Sequence, residues 1–165
     1  GCGNIGKDLI QLLKPFKCRI LTHDINPDKK YLIKNNIKNY SLKYLLKNSE
    51  IITLHIPYNE KNKFLISKKE ISNLKKNVIF INTSRGGLVD EKIFYKFLKK
   101  NPEAIGVFDV MENEPPSNKS LLKLKNFLLT PHLAGSTHEA IKYASLDCVN
   151  KILNNYNYKK KKRFF

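Results

Sequence analysis

GCGNIG at residues 1–6 has the glycine spacing G-x-G-x-x-G. Glycines at these positions allow a tight turn, let a phosphate approach the backbone, and let a helix pack closely on a strand. Amides at the start of a following helix attract a pyrophosphate. Such a helix is indicated by an apolar stripe before Pro15, formed by Ile5, Leu9, Ile10, Leu12 and Leu13. The motif therefore predicts a dinucleotide site formed by Gly1, Gly3, Asn4, Ile5 and Gly6.

A glycine loop of this kind should follow a buried β-strand, and here it begins at Gly1. The only methionine is Met111. We therefore expect the first strand to be missing and the chain to be an N-terminally truncated fragment. That strand would be central in the sheet, so its loss removes a ladder partner for its neighbours. We expect the isolated chain to be inactive for this reason.

Short apolar runs typical of strands alternate with helical patterns along the rest of the chain. The apolar runs indicate a parallel sheet covered on both faces, and the alternation predicts an α/β fold with a doubly wound, Rossmann-like sheet. We predict strands at residues 18–23, 51–56, 78–82, 104–110 and 127–130, and helices at 42–47, 67–74 and 90–100. A last helix, capped by Ser136 or Thr137, would turn Ala140, Ile141, Ala144, Val149 and Ile152 toward a core.

The chain of 165 residues is long enough for one domain with a substantial core. We assign residues 1–137 to a dinucleotide-binding domain that lacks its first strand. Residues 138–156 form a C-terminal helix that would return toward an absent substrate domain. Residues 157–165 form a basic tail.

Composition bears on partners and compartment. Lys and Arg number 31 against 14 acidic residues, a formal charge of +17 that invites a nucleic-acid interpretation. Arginine binds phosphate and guanine better than lysine does, because its guanidinium forms two parallel hydrogen bonds, but it occurs only three times. The scattered lysines therefore favour a solvated surface without a specific nucleic-acid partner. Three cysteines at unrelated spacings indicate neither a disulfide framework nor a metal site, and they suit a cytoplasmic protein. No apolar run reaches membrane-spanning length.

Asp24 gives the glycine loop a cofactor preference. It ends the predicted strand at 18–23 and lies about twenty residues beyond the glycines, where an acid binds the adenosine ribose hydroxyls. A carboxylate there would repel a 2′-phosphate, so we predict NAD rather than NADP. The alternative is a purely structural role, in which Asp24 only starts the turn before Pro27. His55 ends the strand at 51–56, and we favour a packing role for its side chain.

Residues with chemical potential follow the later strands. Residues 82–87 (NTSRGG) follow the strand at 78–82, and Arg85 can grip a carboxylate there as a planar fork. Asp109 ends the strand at 104–110, with Glu114 in the loop beyond it, and His132 follows the strand at 127–130. An acid paired with a histidine raises the imidazole pKa and fixes its tautomer, which suits a general acid/base near neutral pH.

These blocks resemble the D-isomer-specific 2-hydroxyacid dehydrogenases, closest in appearance to the D-3-phosphoglycerate dehydrogenases. The matching sequences are GCGNIG, HIP, INTSRGGLVDE, AIGVFDVMENEPP and LLTPHLAGST, which together span most of the chain. One departure follows Pro57, where relatives often have threonines and this chain has Asn59 and Asn62. An asparagine amide still donates a hydrogen bond.

The resemblance implies roles for the matching residues. Arg85 would bind the substrate carboxylate, His132 would exchange a proton with the C2 oxygen, and Glu114 would pair with His132. The partner would be a small 2-hydroxy or 2-oxo acid, and the full-length protein would be a homodimer. Further residues would contact NAD, and with the glycine loop and Asp24 this set contains Pro57, Thr83, Ser84, Arg85, Asp109, His132 and Gly135; no metal is implied.

Two questions stay open from the sequence. The Gly135–Thr137 end of the histidine block favours 3-phosphoglycerate and serine biosynthesis, while hydroxypyruvate or glyoxylate reduction is the alternative. A different class is also possible, a non-catalytic NAD sensor of corepressor type that keeps these residues.

Overall fold

The computed structural model describes residues 1–117 and 119–162, and from residue 157 onward it describes the backbone alone. The structure divides into two units, residues 1–131 and 132–165, and each is described by itself. Part of the predicted basic tail thus lies outside the described residues.

A four-stranded parallel sheet forms the centre of the first unit, with strand order β1-β2-β3-β4. The strands are β1 (Ile51–Leu54), β2 (Ile79–Asn82), β3 (Ile105–Phe108) and β4 (Phe127–Leu129). They lie within the runs predicted from the sequence, so the parallel sheet with flanking helices is confirmed. Their β-branched and aromatic residues suit a pleated, buried surface.

Helices connect and flank the strands of the first unit. They are α1 (Asn4–Leu13), α2 (Lys29–Lys34), α3 (Leu42–Asn48), α4 (Lys68–Ile71) and α5 (Glu91–Lys100), with 3₁₀ turns at Lys14–Phe16, Glu60–Asn62, Gly86–Leu88 and Leu121–Lys123. Side-chain caps explain several starts, because Asp28, Ser41 and Asp90 accept hydrogen bonds from the amides of Tyr31, Tyr44 and Ile93. Only α2 has no counterpart among the predictions.

The main core covers one face of the sheet, where alternate residues of β1, β2 and β3 are buried. Phe80, Phe94 and Phe108 pack there as an aromatic group with ring centroids 5.2 to 6.3 Å apart. Gly106 is buried beside them, and a Cβ at this position would lie 2.9 Å from the Phe94 ring. The opposite face is half-buried, and Ile51 there is 61% exposed, so coverage is less complete than predicted.

The predicted strand at residues 18–23 is wrong. The segment is extended, but it makes only one isolated parallel bridge, between Thr22 and Asn39. A strand needs a ladder partner along its length. The N-terminal amino group of Gly1 donates a hydrogen bond to the carbonyl of His23 at 2.8 Å, and the bridge between Thr22 and Asn39 is the only ladder contact of this segment among the described residues. A smaller core of Cys2, Ile10 and Leu32 joins α1 to α2 next to this segment.

The second unit consists of a turn and α6 (His138–Lys162). Thr137 is the capping residue, since its hydroxyl accepts from the Ala140 amide at 3.1 Å. The residues predicted to turn toward a core are not buried within this chain, and the return of α6 toward a substrate domain stays a prediction. Ile141, Val149 and Ile152 are 51 to 62% exposed, Ala144 is exposed and Ala140 is half-buried. Among its described residues this unit has no second helix or strand to cover that face.

None of the helices in the described part of the chain combines the length and the apolar character needed to cross a membrane.

Candidate active site

The three glycines of the loop have three different surroundings. A Cβ at Gly1 would overlap the carbonyl oxygen of His55, so the loop packs against the end of β1. A Cβ at Gly6 would lie 2.5 Å from the Gly1 oxygen, so α1 packs tightly on the turn. At Gly3 a Cβ would meet nothing within 4 Å. This division matches the demands of a pyrophosphate-binding turn, in which only the second glycine faces the ligand.

The start of α1 is free to bind an anion. Gly3 precedes the helix and makes no side-chain cap. Asn4 and Ile5 lie exposed in the first turn, where amide groups have no acceptor within the helix. This is the usual place for a phosphate at a helix N-terminus.

Asp24 lies beside this turn. Its two carboxylate oxygens accept from the amides of Cys2 and Asn26, each at 2.8 Å. Burial opposes the charged form, but the two hydrogen bonds, together with the positive charges of the N-terminal amino group and His23, hold the pKa of Asp24 below its usual value. The carboxylate is therefore ionised and fixed, and each oxygen keeps a lone pair for a further donor.

The end of β1 completes this side of the site. His55 lies half-buried with its Nε2 3.0 Å from the Thr53 hydroxyl, and burial lowers the pKa of this imidazole. The arrangement agrees with a packing role. Pro57 is exposed, and its carbonyl accepts from the side-chain amide of Asn62 at 2.8 Å. Asn59 and Asn62 cap each other's backbone in a reciprocal box, so the two asparagines preserve an ordered turn.

The Arg85 turn begins at Asn82, which is 0% exposed at the end of β2. The Asn82 side chain accepts from the Ser84 amide at 3.1 Å and donates to the Arg85 carbonyl at 3.0 Å. The Ser84 hydroxyl donates to the Leu54 carbonyl at 2.6 Å, which joins the turn to β1. Thr83 and Arg85 are exposed, and one guanidinium nitrogen of Arg85 donates to the Ser84 carbonyl at 2.6 Å. The backbone is thus fixed from both sides while Arg85 faces solvent.

The loop after β3 packs directly on this turn. A Cβ at Gly86 would overlap the backbone of Met111 and Glu112, so the two loops touch backbone to backbone. The Glu112 amide donates to the Glu91 carboxylate at 2.5 Å. Glu114 accepts from the Met111 amide at 2.9 Å. The structure therefore places the loops carrying Arg85 and Glu114 side by side.

Asp109 is 4% exposed at the end of β3 and accepts a hydrogen bond from the Thr130 hydroxyl. This contact ties the end of β3 to the segment after β4 and fixes the carboxylate. The carboxyl ends of parallel strands lie at one edge of a sheet, which is where open α/β sheets bind ligands.

His132 and Gly135 lie in the second unit. His132 is exposed and has a backbone φ of 54°, in the left-handed region that non-glycine residues rarely occupy. Gly135 has open space around it, since a Cβ there would meet nothing within 4 Å. The pairing of His132 with Glu114 stays a prediction.

Two residues of this region were missed by the sequence analysis. Asn82 and Glu91 both lie in the block INTSRGGLVDE, but the sequence analysis predicted no role for either of them. A polar residue at the buried end of an otherwise apolar strand was the available signal for Asn82. Glu91 gave no such signal, because an acid in the first turn of a helix is ordinary.

The residues present fit a dinucleotide. Open backbone at Gly3, the free start of α1 and the ionised Asp24 offer sites for a pyrophosphate and a ribose. Among the described residues, no group of three or more His, Cys, Asp or Glu side chains is placed to hold a metal ion.

Residues 1–134 match the family described as D-isomer specific 2-hydroxyacid dehydrogenase, NAD binding domain. The chain belongs to this family, and NAD is the cofactor of its domain. The family resemblance predicted from the motifs is thus confirmed.

Relatives with several different names resemble the chain. D-3-phosphoglycerate dehydrogenase of Methanocaldococcus jannaschii is 37% identical over 87% of this chain and 28% of its own length. Erythronate-4-phosphate dehydrogenase of Wigglesworthia glossinidia brevipalpis is 38% identical over 99% of this chain and 43% of its own length. Among solved structures, D-lactate dehydrogenase of Aquifex aeolicus, complexed with NAD and lactic acid, is 25% identical with a TM-score of 0.80, covering 94% of this chain and 52% of that one. The chain thus spans about half, or less, of the proteins it matches.

Proposed function

We propose that the full-length gene product, meaning this chain with whatever sequence flanks it in the gene, interconverts a small D-2-hydroxy acid and its 2-oxo acid. NAD, when bound, supplies the acceptor or donor for the hydride at C2. The observation that carries the proposal is that the glycine turn and the Arg85 turn both contact the end of β1. The glycine turn packs on His55, and the Arg85 turn is bonded to Leu54 through Ser84.

The residues of the chain would divide the work as follows. Gly3, Asn4 and Ile5 bind the pyrophosphate through backbone amides, and Asp24 accepts from the ribose hydroxyls. The Arg85 guanidinium grips the substrate carboxylate, since its remaining N–H groups are available beyond the one bonded to Ser84. His132 would deliver a proton to the C2 oxygen or remove one, and the family resemblance implies that Glu114 is the acid that would pair with it.

For the substrate we propose 3-phosphoglycerate, supported by the Gly135–Thr137 sequence and by the name of the Methanocaldococcus relative. A second candidate is erythronate 4-phosphate, because the similarity to that dehydrogenase extends over 99% of this chain, α6 included. Both are phosphorylated D-2-hydroxy acids, so the two candidates differ in chain length rather than in reacting group.

The test is NADH oxidation by the full-length gene product with a panel of 2-oxo acids. We expect turnover with 3-phosphohydroxypyruvate to exceed that with the 2-oxo acid of erythronate 4-phosphate, hydroxypyruvate, glyoxylate and pyruvate. NADPH should support much slower turnover, since Asp24 repels a 2′-phosphate. Bound NADH without turnover of any acid would instead favour an NAD sensor.

We also propose that the full-length gene product is a cytoplasmic homodimer. Sedimentation would test the oligomeric state, and cell fractionation would test the compartment.

A further inference from the structure

Glu91 lies outside the set of residues that the proposed function uses, yet it contacts the loop that carries Glu114. It is the first residue of α5, and its carboxylate accepts from the Glu112 amide at 2.5 Å. Asp90, the residue before it, is the one that caps the helix by accepting from Ile93. Glu91 is therefore not needed as the cap and directs its carboxylate to the neighbouring loop.

The loop is held at successive points along its backbone. Gly86 leaves room for the Met111 and Glu112 backbone, which fixes how close the loop comes to the Arg85 turn. The Glu91 carboxylate then holds the Glu112 amide. The next contact is made by Glu114 itself, which accepts from the Met111 amide. Among the described residues, the Glu91 carboxylate is the acceptor of the Glu112 amide.

The arrangement has an electrostatic cost that marks it as more than an incidental helix-end acid. Burial raises the pKa of Glu91; the hydrogen bond from the Glu112 amide opposes this, and the charges of Glu112, Asp90 and Glu114 add to the rise. Burial disfavours the charged form of a carboxylate. Here the side chain is half-buried among like charges, and the hydrogen bond to the loop is what it gains.

We propose that Glu91 is a positioning residue, whose carboxylate fixes the Met111–Glu114 turn against the Arg85 turn so that Glu114 is held where the reaction needs it. This inference rests on the proposed function for its kinetic part. The proposed role depends on more than the negative charge of Glu91, because the contact requires an acceptor that reaches the Glu112 amide.

Three variants of the full-length gene product distinguish the effect of the length of the Glu91 side chain from the effect of its charge. Glu91→Gln keeps an acceptor at the same length and removes the charge. Glu91→Asp keeps the charge at the start of α5 and is one methylene too short. Glu91→Ala loses both. Glu103→Gln, which removes the charge of an exposed acid in the loop beyond the C-terminal end of α5, is the matched control.

We expect Glu91→Gln to keep kcat within about twofold, while Glu91→Asp and Glu91→Ala lower it about tenfold, as for one lost hydrogen bond that holds a reacting geometry. The KM for NADH should change little, because the glycine turn is untouched. Backbone amide exchange in residues 111–114, followed by mass spectrometry, should quicken several-fold in the Asp and Ala variants alone. A kcat retained in Glu91→Gln but lowered in Glu91→Asp would show that Glu91 acts by positioning the loop.

Several results would overturn the proposal. One is full activity in Glu91→Asp with loss in Glu91→Gln, which would assign the effect to charge. Others are wild-type behaviour in all three variants, or loss of kcat with unchanged exchange at residues 111–114. If the wild-type protein turns over no 2-oxo acid, the proposed function fails, and the exchange comparison alone still decides whether Glu91 holds the turn.

Discussion

Replacing Asn82 by alanine tests how the Arg85 turn is built. Asn82 is fully buried and makes two hydrogen bonds, accepting from the Ser84 amide and donating to the Arg85 carbonyl. The alanine variant leaves both backbone groups without these partners. At about 1–1.5 kcal/mol for each lost bond, the free energy of unfolding should fall by about 2–3 kcal/mol. For a domain of this size that corresponds to a decrease in Tm of roughly 5–10 °C.

Thermal and urea unfolding of the full-length gene product would measure the loss. Asn77→Ala is the matched control, since Asn77 is exposed just before β2 and should change stability by less than about 0.5 kcal/mol. Below its melting temperature, Asn82→Ala should also show a lower kcat/KM, because the Arg85 backbone is no longer fixed. A stability equal to that of the control variant would refute the reasoning.

Four further predictions concern single residues. Gly3→Ala should leave Tm nearly unchanged, because a Cβ there meets nothing within 4 Å, yet raise the Kd for NADH at least about tenfold in a fluorescence titration; tight binding would refute it. His132→Ala should lower kcat by about two to four orders of magnitude for a lost general acid/base, and unchanged kinetics would contradict that role. Arg85→Lys should raise the KM for the 2-oxo acid and lower kcat, since the bidentate fork is lost; wild-type values would contradict this. Glu91 has a pKa raised by burial, so its ionisation costs stability as pH rises above the usual value of 4.5 and through the higher folded-state value. Glu91→Gln should therefore be more stable than wild type at pH 7, with a gap in Tm that shrinks toward pH 4.5; a pH-independent gap would refute this.

Much of the first unit follows from local sequence. The sequences of β1 to β4 are rich in apolar residues that are β-branched or aromatic, and the capping residue Asp90 predicts the start of α5. These features are short-range, so the residues themselves carry the information.

The failures have non-local causes. Residues 18–23 have strand composition, but a strand exists only with a partner, and the chain offers Thr22 a single bridge to Asn39. The apolar face of α6 predicts burial without identifying what covers it, and the second unit supplies no cover among its described residues.

The site divides in the same way. The glycine spacing and Asp24 predicted a phosphate turn beside an acid, and the structure places Asp24 on the Cys2 amide within that turn. The holding contacts of Asn82 and Glu91 were not foreseen, because they join segments that are distant in the sequence or depend on which atoms a turn leaves unpaired. Such contacts become visible only once the backbone is known.

Label transfer tests the central claim most directly. The full-length gene product would be given NADH deuterated at the transferring position together with 3-phosphohydroxypyruvate, and the product examined by mass spectrometry and chiral analysis. The account predicts D-3-phosphoglycerate with one deuterium at C2. An L product, or a product without deuterium at C2, would contradict it, and so would the absence of any product from every 2-oxo acid of the panel while NADH binds.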